Sequence, residues 1–362
     1  MADAETGMMP GAAVPDVKFS ADLSRGFMGW FAEFNATIAI TTYQVGKVIF
    51  FGIKPDGSLW VFNRNVGRCL GMAADRTGFW LAADHNLHRF DNLAAGDPGA
   101  LKDGDALFAP RMSYFTGDLD GHDVAIDGEG SPVFVSTLFN CLARPSLRAS
   151  FEPVWTPPFI SRLAAEDRCH LNGLAMVDGQ PGFVTAVSTS DTFDGWRDQR
   201  QDGGVVIDVR TNEIICSGLS MPHSPRWHDG KLWLHNSGSG EFGFVDMAAG
   251  KFEAITFCPG YLRGLAFMGG FAIAGLSMPR GNKTFSGLAL DDQLTKRKMQ
   301  PKAGLYCINT RTGDIAHSIT LGGLVTELYD VTVLEGMKQP SMIGIDDKAN
   351  ARLISLPPAS AS

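Results

Sequence analysis

Three of the eight histidines, His122, His170 and His223, precede or open short apolar segments that recur along the chain. Imidazole is neutral near pH 7 and offers a lone pair on one nitrogen, so three imidazoles converging from separate elements can hold a divalent ion. With a coordination position left open, such an ion polarises a carbonyl or activates water. Glu327 would serve as a further ligand or as general base, and Tyr329 or Tyr261 as the acid. Arg263 suits a substrate carboxylate, because its planar fork binds one through two parallel hydrogen bonds. Asn172, Arg68, Trp196 and Tyr43 would complete the contacts to substrate. For any one of these histidines alone, a bond to neighbouring backbone is the plainer role. Their convergence with Arg263 is what points to a ligand site.

That convergence depends on the elements that carry the residues. A strand of the type x-G-L-A-apolar is followed by a Gly/Asp turn, a second strand with an aromatic, a third ending near Asp, and a fourth. The unit beginning at Pro222 shows this most plainly: SPRW, HDG, KLWLHNS, EFGFVD, AAG and KFEAITF give four strands in succession, which is one blade of a β-propeller. Equivalent first strands are LGMAA (70–74), DVAID (123–127), GLAMV (173–177), SPRWH (224–228), GLAFM (264–268) and DVTVL (330–334). The residues before the central apolar run are Leu70, His122, Asn172, His223, Arg263 and Tyr329, and they would form one ring around the axis. Stepping back two residues, to the same face of a strand, gives Arg68, Asp120, His170, Met221, Tyr261 and Glu327. Stepping forward two gives Met72, Val124, Leu174, Pro225, Leu265 and Val331, all apolar. The expected channel is apolar in its depth and polar at one mouth.

The ends of the pattern predict how the ring closes. ATIAITTY, GKVIFFGIKPDG and SLWVFNRN read as strands two to four of a blade lacking its first, and the C-terminal DVTVLEG can supply it. The reading is an all-β, six-bladed propeller closed by N-terminal strands plus a C-terminal innermost strand. A seventh blade would need PSMIGI (340–345) to belong to it. Residues 1–30 read as a tail or packing arm, 31–348 as the single propeller and 349–362 as a C-terminal tail. Two stacked β-sandwiches would explain the strands but not their recurring order. The insertion 281–304 reads as a surface loop. The long segment 189–204, carrying Trp196 and Arg197, reads as a lid or as a disordered insertion. Loops expected on the polar mouth also bring Gln44, Asn140, Ser190, Asp191, Ser237 and Arg280.

Composition narrows the partners. The chain has 362 residues, 42 of them glycine, and a formal charge of −8, with no run of five basic residues. Nucleic acid and anionic membrane surfaces both require a positive footprint, so neither is expected. No apolar run is long enough for a bilayer span and no signal-like start precedes the repeat, so the expected compartment is the cytoplasm. The six cysteines are single and without CxxC spacing, which argues against disulfides or a zinc ribbon. No nucleotide cofactor is expected, since no Walker loop or post-strand GxGxxG occurs. GxSxG and HExxH are missing too.

ITTYQVGK (40–47), GDLDGHDVAID (117–127), FISRLAAEDRCHLNGLAMVDG (159–179) and GLSMPHSPRWHDGKLWL (218–234) together resemble a bacterial family of conserved hypothetical proteins. That family is a domain of unknown function sometimes found beside tetratricopeptide repeats. The resemblance implies a propeller and carries no catalytic residues with it. At blade level the pattern is more distantly similar to gluconolactonase and streptogramin-lyase propellers, whose axial sites use a metal ion. Their sites are mostly carboxylate and Asn, whereas this mouth is His-rich. The expected function is metal-assisted lyase or hydrolase chemistry on a small polar, anionic molecule. The alternative is a non-catalytic propeller that binds a protein or peptide, or senses a small ligand.

Overall fold

The protein is described from a computed structural model covering residues 19–94, 101, 103–279 and 286–354. Six sheets of four or five strands are arranged as the blades of a propeller. Their innermost strands are Val331–Glu335 (blade 1), Cys69–Ala74 (blade 2), Gly121–Ile126 (blade 3), Leu171–Val177 (blade 4), Pro222–His228 (blade 5) and Tyr261–Met268 (blade 6). Blade 1 is completed by Ala36–Thr42, Lys47–Ile53 and Leu59–Asn65, so the C-terminal strand lies innermost beside N-terminal ones. Ile40 pairs with Val331 and Ala36 with Glu335. This closure hides two sheet edges that would otherwise offer unpaired backbone groups.

PSMIGI does not start a seventh blade. Pro340–Met342 runs parallel to Ala106–Phe115 as a fifth, outer strand of blade 2. Three residues cannot supply a sheet of their own. At the other end, Ser20–Leu23 pairs with Ile315–Gly322 at the outside of blade 6. Helix α1 (Phe27–Phe31) then buries Phe27, Trp30 and Phe31 against blades 1 and 6. Residues 1–18 and 355–362 lie outside the described residues, so only the later part of the N-terminal arm can be placed.

The innermost strands do not alternate faces regularly. In blades 2 to 6 each carries one extra residue relative to its partner strand: Leu262 faces Leu276 and Leu265 faces Ala274, while His223 faces His235 and Arg226 faces Trp233. Such a bulge re-aims the side chains on either side of it. In blades 3, 4 and 5 the chain enters the strand through non-glycine residues with positive φ, namely Asp120 at 49°, His170 at 52° and Met221 at 48°. A left-handed residue is costly for a side chain with a Cβ, so the surrounding contacts must hold it.

The bulges also set how the blades touch at the axis. Asp123 of blade 3 accepts from the Leu174 amide of blade 4 at 3.0 Å, and Asp330 of blade 1 accepts from the Met72 amide of blade 2 at 2.8 Å. Ser224 of blade 5 likewise accepts from the Gly264 amide of blade 6 at 2.9 Å. Blades 2, 4 and 6 carry glycine at the same place. A Cβ on Gly264 would lie 2.5 Å from the Val331 amide, and one on Gly173 would lie 2.3 Å from Pro225 Cδ. Odd blades thus reach forward with a polar side chain, and even blades accept the next blade with bare backbone.

One consequence interrupts the expected apolar depth at a single blade, the other five tier residues lining the channel as expected. The bulge in blade 5 packs Pro225 over Gly173 and turns Arg226 to the axis instead. Its guanidinium grips Asp123 through both terminal nitrogens at 2.7 and 3.1 Å and lies 3.5 Å from Asp330. Burial acts against the charge of Arg226, but Asp123 and Asp330 outweigh it and hold the group protonated. Burial, with the charge of Asp123, pushes the Asp330 carboxyl up to about 7 in spite of Arg226.

Removing the cation while keeping its bulk, as in Arg226→Met, strands two buried carboxylates. The expected loss is about 3–5 kcal/mol in denaturant unfolding. Arg89→Met, at a pair whose carboxylates Asp75 and Asp91 are part-exposed, should cost only about 1 kcal/mol. Equal losses would rule out a special role for the axial triad.

Candidate functional site

The ring of residues read from the repeat is assembled at one end of the channel. His122, Asn172, His223, Arg263 and Tyr329, from blades 3, 4, 5, 6 and 1, line a single small cavity with Asp123, Ser224 and Asp330. Leu70, the sixth ring member, packs behind Tyr329. The odd blades contribute three rings that face one another: His122 lies 6.3 Å from His223 and 5.5 Å from Tyr329 between ring centroids. His170 stands edge-on to His122 at 4.8 Å. The cavity volume is only about 10 Å³, roughly the space for one water molecule.

Hydrogen bonds fix how each imidazole is protonated. His223 Nδ1 lies 2.8 Å from the Met221 carbonyl, which can only accept, so Nδ1 carries the hydrogen. His170 Nδ1 donates to Asp167 at 2.9 Å. The Thr137 hydroxyl donates to the Leu171 carbonyl, so its oxygen accepts from His122 Nδ1 at 2.9 Å. In the neutral rings Nε2 is therefore the lone-pair nitrogen on all three. Asn172 agrees with this assignment, because its oxygen accepts from Thr185 at 2.7 Å and its amide hydrogen is offered to His223 Nε2 at 3.4 Å. Burial, then the neighbouring positive groups, holds His122 and His223 well below the usual imidazole range, with Arg263 among those groups for both.

Arg263 is 6% exposed, and among the described residues it has no carboxylate at ion-pair distance. Its guanidinium lies over the Tyr329 ring at 4.6 Å and near the Tyr261 ring at 5.8 Å. Burial opposes its charge; the fields of Tyr329, Tyr261 and Glu327 favour it and prevail. Glu327 is buried close by. Burial raises the Tyr329 hydroxyl well above its ordinary range, so it is a proton donor rather than a phenolate. Tyr261 meets His223 edge-on at 5.6 Å.

Two proposed contacts stand at the rim instead. Arg68 is held by Asp118 at 2.6 Å and lies over Tyr43, which in turn stacks on Tyr329. The Asp118 carboxylate competes with the axis for this arginine. Cys69 and Cys169 are buried, with burial first among the causes raising both thiols, so they are unreactive.

Trp196 covers the mouth. The segment after Gln180–Ala186 forms a turn of 3₁₀ helix at Gly195–Gln199, which buries Trp196 flat on His170 at 4.1 Å. The Trp196 indole donates to Asp167 at 2.9 Å, sharing the carboxylate that anchors His170. The later insertion is not merely a loop. Helix α2 (Ala289–Arg297) carries Leu290 and Leu294 into a cluster with Trp196, Met221 and Tyr261. Its i, i+4 leucines give one apolar edge to a polar segment, a signal available in the sequence. Arg280 and residues 281–285 lie outside the described residues.

Among the described residues no three His, Cys, Asp or Glu side chains stand in an arrangement that holds a metal ion. No helix there is long and apolar enough to cross a membrane.

The neutral state of His122 and His223 sets an expected pH dependence. Their folded values lie below the unfolded imidazole value, so acid protonates the unfolded chain first. Stability should fall as pH drops below about 6.5, by up to roughly 1.4 kcal/mol per pH unit for each histidine. Unfolding of a His122→Gln/His223→Gln double variant, followed from pH 7 to 5, should show a clearly shallower limb, the remainder coming from His88 and His235, which burial also holds neutral. An unchanged slope would mean that these imidazoles are not held neutral.

Comparison with known proteins supports the fold and leaves the chemistry open. The crystal structure of a nidogen/laminin complex contains a similar chain, with TM-score 0.53 and 9% identity over 83% of this chain and 99% of that one. A protein of unknown function from Bacteroides caccae is similar at TM-score 0.47 and 10% identity, over 82% and 98% of the two chains. No curated protein matches the sequence. The family resemblance seen in the repeat is realised by residues 25–343, which match the domain of unknown function DUF4915, and the chain belongs to that family.

Proposed function

We propose that the axial cavity beneath Trp196 binds a small anionic molecule and acts on it by lyase or hydrolase chemistry. The observation that carries this reading is Arg263: a guanidinium buried at the axis with no carboxylate at ion-pair distance among the described residues. Burying an unpaired charge is costly, and a carboxylate or phosphate oxygen is the usual means of relieving it. In a cavity walled by rings the attraction is weakly screened. The neighbouring groups suit proton transfer. His122 and His223 present unprotonated Nε2 atoms that can accept a proton from substrate or from water. Tyr329, kept protonated by burial, can donate a hydrogen bond to developing negative charge. Glu327 adds a carboxylate close to Arg263 and would steer the substrate's charge.

The cavity holds about one water as it stands, so substrate must displace the cover formed by Trp196 and α2. Both elements lie on insertions between strands and can move without disturbing the sheets. A second reading has its own support. Each of the three histidines has Nδ1 engaged by a protein acceptor, the pattern typical of metal-bound imidazole, in which Nε2 faces the ion. Because the three imidazoles do not stand as a metal-holding group among the described residues, an ion acting there as a Lewis acid on substrate oxygen would have to draw the rings together.

Titration with acetate, malonate and phosphate, read by calorimetry, tests the first reading. At least one anion should bind with 1:1 stoichiometry, and Arg263→Met should weaken it about 100-fold, the loss of roughly 2.7 kcal/mol. No binding by any anion, or binding indifferent to Arg263→Met, would remove the reading. Elemental analysis of protein purified without a metal-affinity tag addresses the second. One equivalent of transition metal, lost in a folded His122→Ala/His170→Ala variant, would favour it over metal-free chemistry.

A further inference from the structure

A cavity of about 530 Å³ lies not at the histidines but at the opposite mouth of the channel. Pockets of roughly 300–1,000 Å³ are the usual size for small-molecule ligands. Its deep wall takes one apolar side chain from each of five blades: Met72, Val124, Leu174, Leu265 and Val331. The remaining blade, blade 5, contributes Arg226, and Asp123 and Asp330, which hold that arginine, line the upper cavity. The Arg226–Asp123–Asp330 triad is therefore a septum between two chambers.

We propose that this lower chamber is a second binding site, independent of the histidine site, for an uncharged, compact and mainly apolar molecule with one hydrogen-bond acceptor. The electrostatics of the septum select against charge of either sign. An anion would meet Arg226, but that guanidinium is already gripped by Asp123 with Asp330 beside it, so a third carboxylate would face two others. A cation would meet Arg226 itself on the chamber side. Near the mouth, Asp75 is neutralised by Arg89 and gives no free anchor. Arg76 and Glu335, of opposite sign, are exposed at the rim. Burial, the first of the causes acting on it, raises the Asp330 carboxyl and so reduces the negative charge that the triad carries. The deep wall offers a ligand apolar surface and the Nε hydrogen of Arg226, which has no acceptor among the described residues, while Thr332 and His228 add polar groups nearer the mouth. A carbonyl oxygen on an apolar body fits both. Burial of that body supplies the affinity, at about 25 cal/mol per Å² removed from water.

Three dyes built on related phenoxazine frames separate charge from shape: neutral Nile red, cationic Nile blue and anionic resorufin. The full-length protein should bind Nile red saturably at 1:1 with a blue-shifted emission, and bind the charged dyes roughly tenfold or more weakly. Ala73 and Ala266, half-buried in the lining on blades 2 and 6, allow the chamber to be filled from two sides. Ala73→Trp and Ala266→Trp should each weaken Nile red by at least about tenfold, with cooperative thermal unfolding as the check on folding. Arg263→Met should leave it unchanged, which separates this site from the one above. The proposal fails if no saturable binding is seen. It fails equally if a charged dye binds as tightly, or if a folded tryptophan variant binds like the parent.

Discussion

Six strands meeting at one axis leave no room for six side chains at the level of closest approach, and this crowding governs much of the rest. The chain resolves it by alternation. Blades 1, 3 and 5 place Asp330, Asp123 and Ser224 there, each bonded to a backbone amide of the following blade. Blades 2, 4 and 6 place Gly71, Gly173 and Gly264 there, so that the following blade can approach their backbone directly. The ring thus has an approximate three-fold pattern within its six blades. Each amide bonded in this way would otherwise be a buried donor without an acceptor, a cost of about 1–3 kcal/mol. A second set of fasteners lies farther out: hydroxyls of Thr41, Thr137, Ser237 and Ser277 donate to carbonyls of Leu70, Leu171, Leu262 and Leu328 on the next blade. Closure by Val331–Glu335 completes the circle, and Asp330 sits at that seam.

The same alternation creates the chemistry. The residue preceding each axial Asp or Ser is a ring, His122, His223 or Tyr329, whereas the residue preceding each axial Gly is Leu70, Asn172 or Arg263. Three rings and one guanidinium without an ion-pair partner among the described residues are thereby gathered around a cavity with room for about one water. Arg263 helps keep His122 and His223 neutral, while Tyr329, Tyr261 and Glu327 favour its own charge. Just below, the arrangement inverts: Arg226 is satisfied by two carboxylates, one of which takes up a proton near neutrality. Two buried arginines on one axis thus differ in kind. One is a structural clasp; the other is left seeking a partner.

Much of this was legible from residue order. Because the first-strand pattern repeats, aligning it located the ring members and the closing strand without any measure of distance, and five of the six ring residues do line one cavity. The alternation was equally present, as GMAA, GLAM and GLAF against DVAI, SPRW and DVTV, but only contact between blades gives it meaning. What defeated simple counting was the bulge. A period of two presumes a regular strand, and one inserted residue in blade 5 exchanges Pro225 for Arg226, placing one charged side chain in a tier that is otherwise apolar as expected. The left-handed residues at Asp120, His170 and Met221 likewise place the second tier by a turn of the backbone, not by alternation. Asp167 was missed because its role depends on Trp196, which arrives from a different insertion.

The two insertions bear on how the site works. A propeller mouth is ordinarily open, and nothing in the blade repeat requires a cover. Here Gly195–Gln199 and α2 bring Trp196, Leu290 and Leu294 over the axis, and Asp167 joins the cover to His170 through one carboxylate. The Trp196 indole N–H and the His170 Nδ1–H share this one acceptor, so the seat of the cover over the axis and the orientation of the His170 ring are fixed together. Lifting Trp196 from the axis would cost both this bond and its stacking on His170, and His170 would keep Asp167 to itself.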